Sequence, residues 1–580
     1  MNTLIELENV TYRYALSGAT LPPALKGISL RIGAGEYVAI AGANGSGKST
    51  LARHLNALLI PESGHVRVAG LDTGDPHHHR EIRRTVGMVF QHPDDQMVAT
   101  VVEEDVAFGP ENLGLPPEEI QSRVRAALET VELWDARTRP PHLLSAGQMQ
   151  RVALAGVLAL APRCIVFDEA TAMLDPNGRQ AVRALMARLH REGITIITIT
   201  HFMEEALDAE RVIVLSQGEV ALDDTPQAIF SAVAPLHALG LDLPPAADLG
   251  NRLQRRFPAL PTGLLTTSDL IAALDRLPHS TTTPATGTPA PSATAPAALI
   301  EVRDLAHTYM EGTPLAHRAL DGVSLSVAAE GAHGLLGATG SGKSTLMQHL
   351  NGLLRPQAGS VHVAGFDLGD PGVDVRKVRR SVGLAFQMPE LQIFEQYVGD
   401  EIAYGPRLMG LDRAALRARV REAMTMVGLD FEAYKDRLTF TLSGGEQRKV
   451  ALASVLALQP RILLLDEPTA GLDPLSRHDL LSRLAGLKRS GTTLILSSHQ
   501  MEDLALLAEH LTVLAKGKDA LSGSTPQVFA QGASLRALGL GLPVIAKVTE
   551  GLRARGWPLP AGLVSFDPLV NALEAVIRHG

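Results

Sequence analysis

Cysteine is almost absent from this 580-residue chain, and the single one, Cys164, cannot by itself build an internal disulfide, an iron–sulfur cluster or a cysteine-based zinc site. It precedes Ile-Val-Phe-Asp and is expected to pack in a strand. A basic excess is missing too. Net charge is −9 and pI about 6.1, so no global positive field draws the chain to nucleic acid or anionic lipid, although a local basic patch stays open. Long apolar runs are also lacking: the longest clean one, Val152 to Ala161, is half of what spans a bilayer. The start, Met-Asn-Thr-Leu-Ile-Glu-Leu-Glu, shows no basic stretch followed by an apolar core, so no secretory leader is expected. Together these absences predict a soluble or peripheral protein. His77-His78-His79 lack a separated ligand set, and metal binding is not expected there. What remains is ordinary globular composition, 45% apolar and 20% charged, with room for several domains.

Two stretches organise the chain: Gly42-Ala-Asn-Gly-Ser-Gly-Lys-Ser49 and Gly337-Ala-Thr-Gly-Ser-Gly-Lys-Ser344. Each fits Gly, four residues, Gly-Lys-Ser, and each follows a run of strand character, Tyr37 to Ala41 and Gly334 to Leu336. A triphosphate needs converging backbone N–H groups, glycines that permit close approach, a lysine for the β/γ charge and a hydroxyl to help hold Mg²⁺. Both stretches supply all four, so nucleotide binding is expected twice.

The chain is a duplication. Lys48 matches Lys343, Gln91 matches Gln387, Asp168 matches Asp466 and His201 matches His499, with an offset that drifts only from 295 to 298. The tails repeat as well: Leu239-Gly-Leu-Asp-Leu-Pro244 answers Leu538-Gly-Leu-Gly-Leu-Pro543. Pro278 to Ala297 is nearly all Thr, Pro, Ala, Ser and Gly and reads as a tether. The expected organisation is a nucleotide domain over 1–235, an appendage over 236–277, a linker over 278–298, a second nucleotide domain over 299–530 and a second appendage over 531–580. Ile165 to Asp168, Ile194 to Thr200 and Val212 to Leu215, with their counterparts from Ile462, Thr493 and Leu511, are continuous apolar runs of the kind found in a sheet buried on both faces. Pro116 to Val131 and Arg413 to Val427 have helical character and predict an inserted helical lobe.

Asp168-Glu169 and Asp466-Glu467 end apolar runs, where an α/β sheet presents its ligand site. The aspartate suits Mg²⁺, and the glutamate can orient or deprotonate an attacking water. Leu144-Ser-Ala-Gly-Gln148 and Leu442-Ser-Gly-Gly-Glu446 lead into apolar helices. Ser145 with Gln148, and Ser443 with Glu446, fit a capping box; the same helix N-termini could equally face a γ-phosphate.

The ordered series of phosphate loop, glutamine, Ser-x-Gly, Asp-Glu, Leu174-Asp175 or Leu472-Asp473, and a histidine after a strand resembles the ATP-binding-cassette (ABC) ATPases across nearly all of both halves. The resemblance implies an α/β fold of two tandem P-loop ABC ATPase domains, each a mixed, largely parallel sheet with a helical lobe and a small C-terminal appendage. It implies ATP on Tyr14, Gly42, Asn44, Gly45, Ser46, Gly47, Lys48, Ser49, Thr50, Gln91, Ser145, Gly147 and Gln148. The second set is Tyr309, Gly337, Thr339, Gly340, Ser341, Gly342, Lys343, Ser344, Thr345, Gln387, Ser443, Gly445 and Glu446. Mg²⁺ would sit on Ser49, Gln91 and Asp168, and on Ser344, Gln387 and Asp466; Glu169, His201, Glu467 and His499 would be catalytic. ATP would be sandwiched, Lys48, Glu169 and His201 facing Ser443, and Lys343, Glu467 and His499 facing Ser145. Simple strand packing is the other reading of the two tyrosines.

A narrower resemblance follows each glutamine. Phe90-Gln-His-Pro-Asp-Asp-Gln-Met and Val102-Glu-Glu-Asp-Val-Ala-Phe-Gly-Pro-Glu-Asn112 look like the first ATPase of energy-coupling-factor (ECF) importers. Phe386-Gln-Met-Pro-Glu-Leu-Gln-Ile-Phe394 and Asp400-Glu-Ile-Ala-Tyr-Gly-Pro406 look like the second. The resemblance implies ATP hydrolysis driving uptake of a vitamin, vitamin precursor or metal ion. It also implies a transmembrane scaffold (T) subunit and a substrate-binding membrane (S) subunit as partners, pairing of the two halves, and a peripheral place on the cytoplasmic face of the membrane. No nucleic acid is expected. Asp94, Asp95, Glu103, Glu104 and Asp105 would give one receiving surface an acidic character, or else form a solvated loop. A fused sugar-importer ATPase and a soluble twin-cassette ATPase acting on ribosomes or nucleic acid are the alternatives. Ala146 stands where Gly444 keeps the first signature glycine, and its restricted backbone predicts two sites of unequal activity.

Overall fold

The computed structural model describes residues 2–16, 19–20, 22–172, 174–279, 298–313 and 315–578. The expected linker falls almost wholly outside the described residues. The chain divides into two compact units: Met1–Arg252 with Pro261–Thr266 and Asp473–Leu475, and Leu253–Leu260 with Thr267–Leu472 and Ser476–Gly580.

In the first unit the runs read as strands do form one sheet. Among the described residues its order is Glu219–Asp224, Arg211–Ser216, Tyr37–Ala41, Thr195–Ile199, Cys164–Asp168 and Val86–Val89. All neighbours are parallel except the Glu219–Asp224 edge. Tyr37–Ala41, Thr195–Ile199 and Cys164–Asp168 are buried at every position, which is why they carry no polar alternation. Cys164 begins its strand and is fully buried.

One face of this sheet packs against a second, antiparallel sheet ordered Leu25–Gly33, Thr3–Tyr12, Ser63–Val68 and Leu71–Asp72; Ile5, Ile32, Val38, Ile40 and Val66 fill the space between them at 0% exposure. The other face is covered by helices, with Phe167, Leu154, Met186 and Leu128 in one core. Each fully buried aliphatic side chain of this kind contributes about 1.5–3 kcal/mol. The helical lobe is present: Val102–Asn112, Pro117–Thr130 and Ala146–Leu158 pack on one another.

The second unit repeats the plan with Val382–Ala385, Ile462–Asp466, Thr493–Ser498, Ala332–Leu336, His510–Ala515 and Lys518–Ser524 in the main sheet. Its lobe is Val398–Leu408, Arg413–Met426 and Gly444–Leu456. A helix from the first tail, Thr267–Asp275, lies in this unit against Val544–Arg553. Asp275 fixes the contact by accepting from the Trp557 indole at 3.0 Å and pairing with Arg555 at 3.4 Å.

Candidate nucleotide sites

Each phosphate loop leaves a central strand and turns into a helix, Lys48–Leu55 and Lys343–Leu350. The turn is possible because Gly47 and Gly342 both have φ of 103°, and a Cβ there would meet a backbone oxygen, Ala24 O at 2.6 Å or Ala319 O at 2.7 Å. The lysines fold back over the loop: Lys48 Nζ donates to Gly42 O (2.8 Å) and Ala43 O (3.0 Å), and Lys343 Nζ to Gly337 O (2.7 Å) and Ala338 O (3.1 Å). Burial lowers the Lys48 pKa, partly opposed by the charges of Glu169 and Asp168. A loop that carries a buried ammonium and a ring of N–H groups is built for an anion. Ser46 Oγ and Ser341 Oγ are buried with no protein partner, so each loop also holds a hydroxyl awaiting one. Asn44, Gly45, Thr339 and Gly340 are exposed at the loop tips.

At the ends of the neighbouring strands the acidic pairs meet these loops. Ser49 Oγ donates to Asp168 Oδ1 at 2.9 Å. Burial pushes Asp168 up to about 6, against the pull of that hydrogen bond. Asp466 is likewise raised by burial, while Ser344 and Ser497 donate to it. A hydroxyl beside a desolvated carboxylate is an oxygen donor set that fits Mg²⁺; bound there, the ion would neutralise phosphate charge.

Glu169 and Glu467 stand in left-handed backbone, φ 49° and 50°, a conformation uncommon for residues with a side chain and one that concentrates at functional sites. Gln91 Nε2 donates to Glu169 Oε2 at 3.3 Å. His201 Nδ1 lies 3.4 Å from the same oxygen, and His499 Nδ1 lies 2.6 Å from Glu467 Oε2. Burial would raise both glutamates, yet His201 with Lys48, and His499 with Lys343, hold them below the ordinary carboxylate range. Each glutamate is thus held in its ionised form. The Nε2 atoms of both histidines are buried without a partner.

Tyr309 ends the strand Ala298–Tyr309 and Tyr14 follows the strand Thr3–Tyr12; each is more than a third exposed, with its hydroxyl on the phosphate-loop helix, Tyr14 to Thr50 Oγ1 at 3.1 Å and Tyr309 to Thr345 Oγ1 at 3.3 Å. The capping boxes form. Ser145 Oγ accepts from Gln148 N at 3.3 Å while Ser145 N donates to Gln148 Oε1 at 3.0 Å. Ser443 and Glu446 do the same, and Glu446 also receives Tyr434 Oη at 2.7 Å and Arg437 Nη1 at 3.1 Å. Burial pushes Glu446 up, but these donors outweigh it and hold it low. A Cβ on Gly147 or Gly445 would meet only a leucine methyl at 3.8 or 3.7 Å.

Two expectations change. Gly444 has an ordinary φ, and a Cβ there would point into open space, so the backbone argument drawn from Ala146 does not hold within the fold. The side chain of Ala146 lies outside the described residues. Asp105 leaves the acidic surface: it is buried, and its Oδ1 accepts from Val98 N (2.7 Å) and Ala99 N (3.0 Å). Glu103 lies 3.9 Å from Arg137, whereas Asp94, Asp95 and Glu104 stay exposed. Gln387 is marked by its backbone: its carbonyl accepts from Arg448 Nη2 at 2.9 Å. Beside Gln91 an open cavity of about 260 Å³ is lined by Phe90, Gln96, Val98 and Phe108, among others. His78 and His79 contact backbone carbonyls, and among the described residues no cluster of three or more His, Cys, Asp or Glu could hold a metal. No helix there is long and apolar enough to cross a membrane.

Sequence reasoning missed Ser497, whose Oγ donates to Asp466 Oδ1 at 2.6 Å and accepts from Glu467 N at 3.0 Å. The signal was a serine preceding Ser498 at the end of the strand Thr493–Ser498, at a position where the first copy has Ile199.

Two phosphate loops, each with an acidic strand end and a histidine closing on the second carboxylate, define a tandem P-loop ATPase. The chain belongs to the ABC transporter family, whose model matches residues 25–172 and 320–470. The N-terminal half is 50% identical over 277 residues to the energy-coupling factor transporter ATP-binding protein EcfA1 of Caldanaerobacter subterraneus subsp. tengcongensis, covering 48% of this chain and all of that protein. EcfA1 of Symbiobacterium thermophilum is 53% identical over 281 residues, 48% of this chain and 98% of its own length. A protein of the first organism described as an ABC transporter ATP-binding protein is 35% identical over 560 residues, spanning 94% of this chain and 96% of itself. The cassettes are ABC ATPase cassettes, consistent with ATP hydrolysis coupled to transport.

Proposed function

We propose that this chain is the ATP-hydrolysing energy-coupling subunit of an ECF-type importer for a vitamin, vitamin precursor or metal ion, with the two ATPase subunits fused in one polypeptide. The carrying observation is the combination of a first half 50% identical to an EcfA1 over that protein's full length with a second complete set of nucleotide-site residues 295 to 298 positions later. Full-length similarity to an ABC transporter ATP-binding protein favours transport over a role on ribosomes.

In this reading the nucleotide domains are 1–235 and 299–530, with appendages over 236–277 and 531–580 joined by the linker. Lys48 and Lys343 neutralise the β/γ-phosphates, Ser49 with Asp168 and Ser344 with Asp466 hold Mg²⁺ together with Gln91 and Gln387, and Tyr14 and Tyr309 stack on adenine. Glu169 and Glu467 orient and deprotonate the water, and His201 and His499 present Nε2 to the γ-phosphate. The signature serines Ser145 and Ser443 complete the opposite site as the halves close. Catalysis is positioning and electrostatic stabilisation of the transferring phosphoryl group.

The chain sits peripherally on the cytoplasmic face of the membrane, and the exposed carboxylates Asp94 and Asp95 are suited to a cationic segment of the T subunit. The test is gentle solubilisation, affinity capture of the tagged chain and mass spectrometry of what accompanies it. A scaffold protein with a small integral membrane protein is the expected result; ribosomal proteins without membrane partners would overturn the reading.

A further inference from the structure

Outside the phosphate-binding residues, each unit buries an acid next to the hydrolytic pair that no step of hydrolysis uses. In the first it is Glu205, 2% exposed. Its Oε1 accepts from Thr171 Oγ1 at 2.6 Å and its Oε2 from Thr200 Oγ1 at 2.6 Å. A carboxylate taken from water needs such donors, but the choice of donors is informative. Thr171 lies two residues after Glu169, in the turn where Ala172 N donates to Glu169 O at 3.0 Å and Leu174 N to Thr171 O at 3.1 Å. Thr200 immediately precedes His201, and its Oγ1 also accepts from Phe202 N at 2.9 Å. That hydroxyl therefore closes a small ring of atoms around His201. Arg179 lies 3.9 Å from Glu205 and its guanidinium sits 3.8 Å over the Phe202 ring, so the same cluster also braces the residue after the histidine.

The second copy keeps one arm of the device: the acid binds the threonine of the turn and an arginine, and its own helix, Met501–Leu507, carries the link to the loop of His499. Asp503, 1% exposed, accepts from Thr469 Oγ1, and Arg477 reaches its Oδ1 through Nε at 2.8 Å. Ser498 Oγ accepts from Gln500 N at 2.9 Å, which repeats the ring around His499. The acid and its threonine recur, although glutamate has become aspartate and an arginine takes up the other oxygen.

We propose that Glu205, and Asp503 in the second copy, are positioning residues that fasten the turn following the catalytic glutamate to the loop bearing the histidine. One rigid tie holds Glu169 and His201 in mutual register, so that the histidine and the turn leading to Leu174 and Asp175 move as one body rather than independently. The tie acts on the chemical step, because it touches neither the phosphate loop nor the tyrosines that hold ATP. This rests on the reading of Glu169 and His201 as the hydrolytic pair.

The experiment uses the full chain and compares three sets of variants: Glu205→Gln with Asp503→Asn, Thr171→Val with Thr469→Val, and all four together. Steady-state ATP hydrolysis gives kcat and KM, and thermal unfolding reports stability. The expected result is at least a tenfold fall in kcat for each pair, KM for ATP within threefold of the parent, and no further fall when the pairs are combined, since both cut the same tie. Glu205→Asp, which can reach one threonine, is expected to recover part of the rate. A kcat within twofold of the parent, losses that multiply in the combined variant, or a loss confined to KM would each overturn the proposal. If the acid variants fail to fold, the threonine pair alone decides, because it leaves Arg179 and Arg477 opposite their acids. Glu169→Gln with Glu467→Gln serves as the separate control: hydrolysis that survives it refutes the underlying site reading, and hydrolysis that survives only the tie variants refutes the tie.

Discussion

His333 offers a pH-dependent test of the second unit. It sits in the central strand Ala332–Leu336, 5% exposed, where the first copy carries Val38. Its Nε2 meets Thr512 Oγ1 at 2.9 Å, and burial, with a smaller contribution from His510, lowers its pKa from 6.5 to about 4. The folded unit therefore keeps this imidazole neutral while the unfolded chain takes up a proton near 6.5. Stability is unaffected above that value and is lost as pH falls, by about 1.4 kcal/mol per pH unit, reaching about 3 kcal/mol near pH 4. Other buried groups change with pH as well, so the informative quantity is the difference between the parent and His333→Val, which leaves Thr512 its partner Ser522 at 3.2 Å. The chain has two tryptophans, and Trp557 is the one buried in the second unit. In a Trp134→Phe background, urea unfolding followed by Trp557 fluorescence between pH 7.5 and 4.5 reports that unit. Stability of the valine variant should fall less steeply than the parent's, by about 1 kcal/mol already at pH 5.5. Parallel curves would refute the reasoning.

Glu169→Gln and Glu467→Gln, made singly, are expected to slow ATP turnover by unequal factors, with the double variant at least ~100-fold slow; equal losses would count against asymmetry. Asp94→Lys with Asp95→Lys should lower the yield of captured membrane complex roughly tenfold, and an unchanged yield removes that surface as a docking site. Cys164 is fully buried and its thiol is pushed well above the ordinary range by burial. It should resist thiol reagents in the native state and react stoichiometrically in denaturant, whereas rapid native labelling would contradict its placement.

Much of the fold was legible because each signal had one physical cause. Tyr37–Ala41 matched its strand at both ends, since a run apolar on both faces has no other home in a soluble α/β domain. The capping boxes were legible for the same reason: serine and Gln or Glu at that spacing satisfy two helix-end donors by local geometry alone. What could not be read lies where a side chain serves a distant segment. Asp105 looked like surface charge among Asp94, Asp95, Glu103 and Glu104, and only the folded loop shows it consumed by Val98 N and Ala99 N. Gly444 looked like a conformational requirement, and its backbone turned out to need none.

We expect any inequality of the two sites to come not from the signature but from the residues that support the acidic pair. In the first copy Gln91 reaches Glu169, and Asp168 is held by Ser49. In the second, Ser497 takes Asp466 and the amide of Glu467, filling a position that is aliphatic in the first copy. A hydroxyl donating to a buried carboxylate stabilises the ionised form and fixes its direction. Asp466 is therefore aimed by two serines, whereas Asp168 is aimed by one. If that difference is what separates the sites, Ser497→Ile, which installs the first copy's residue, should bring the two single-glutamine variants toward equal turnover. Replacing Ala146 by glycine should leave them apart.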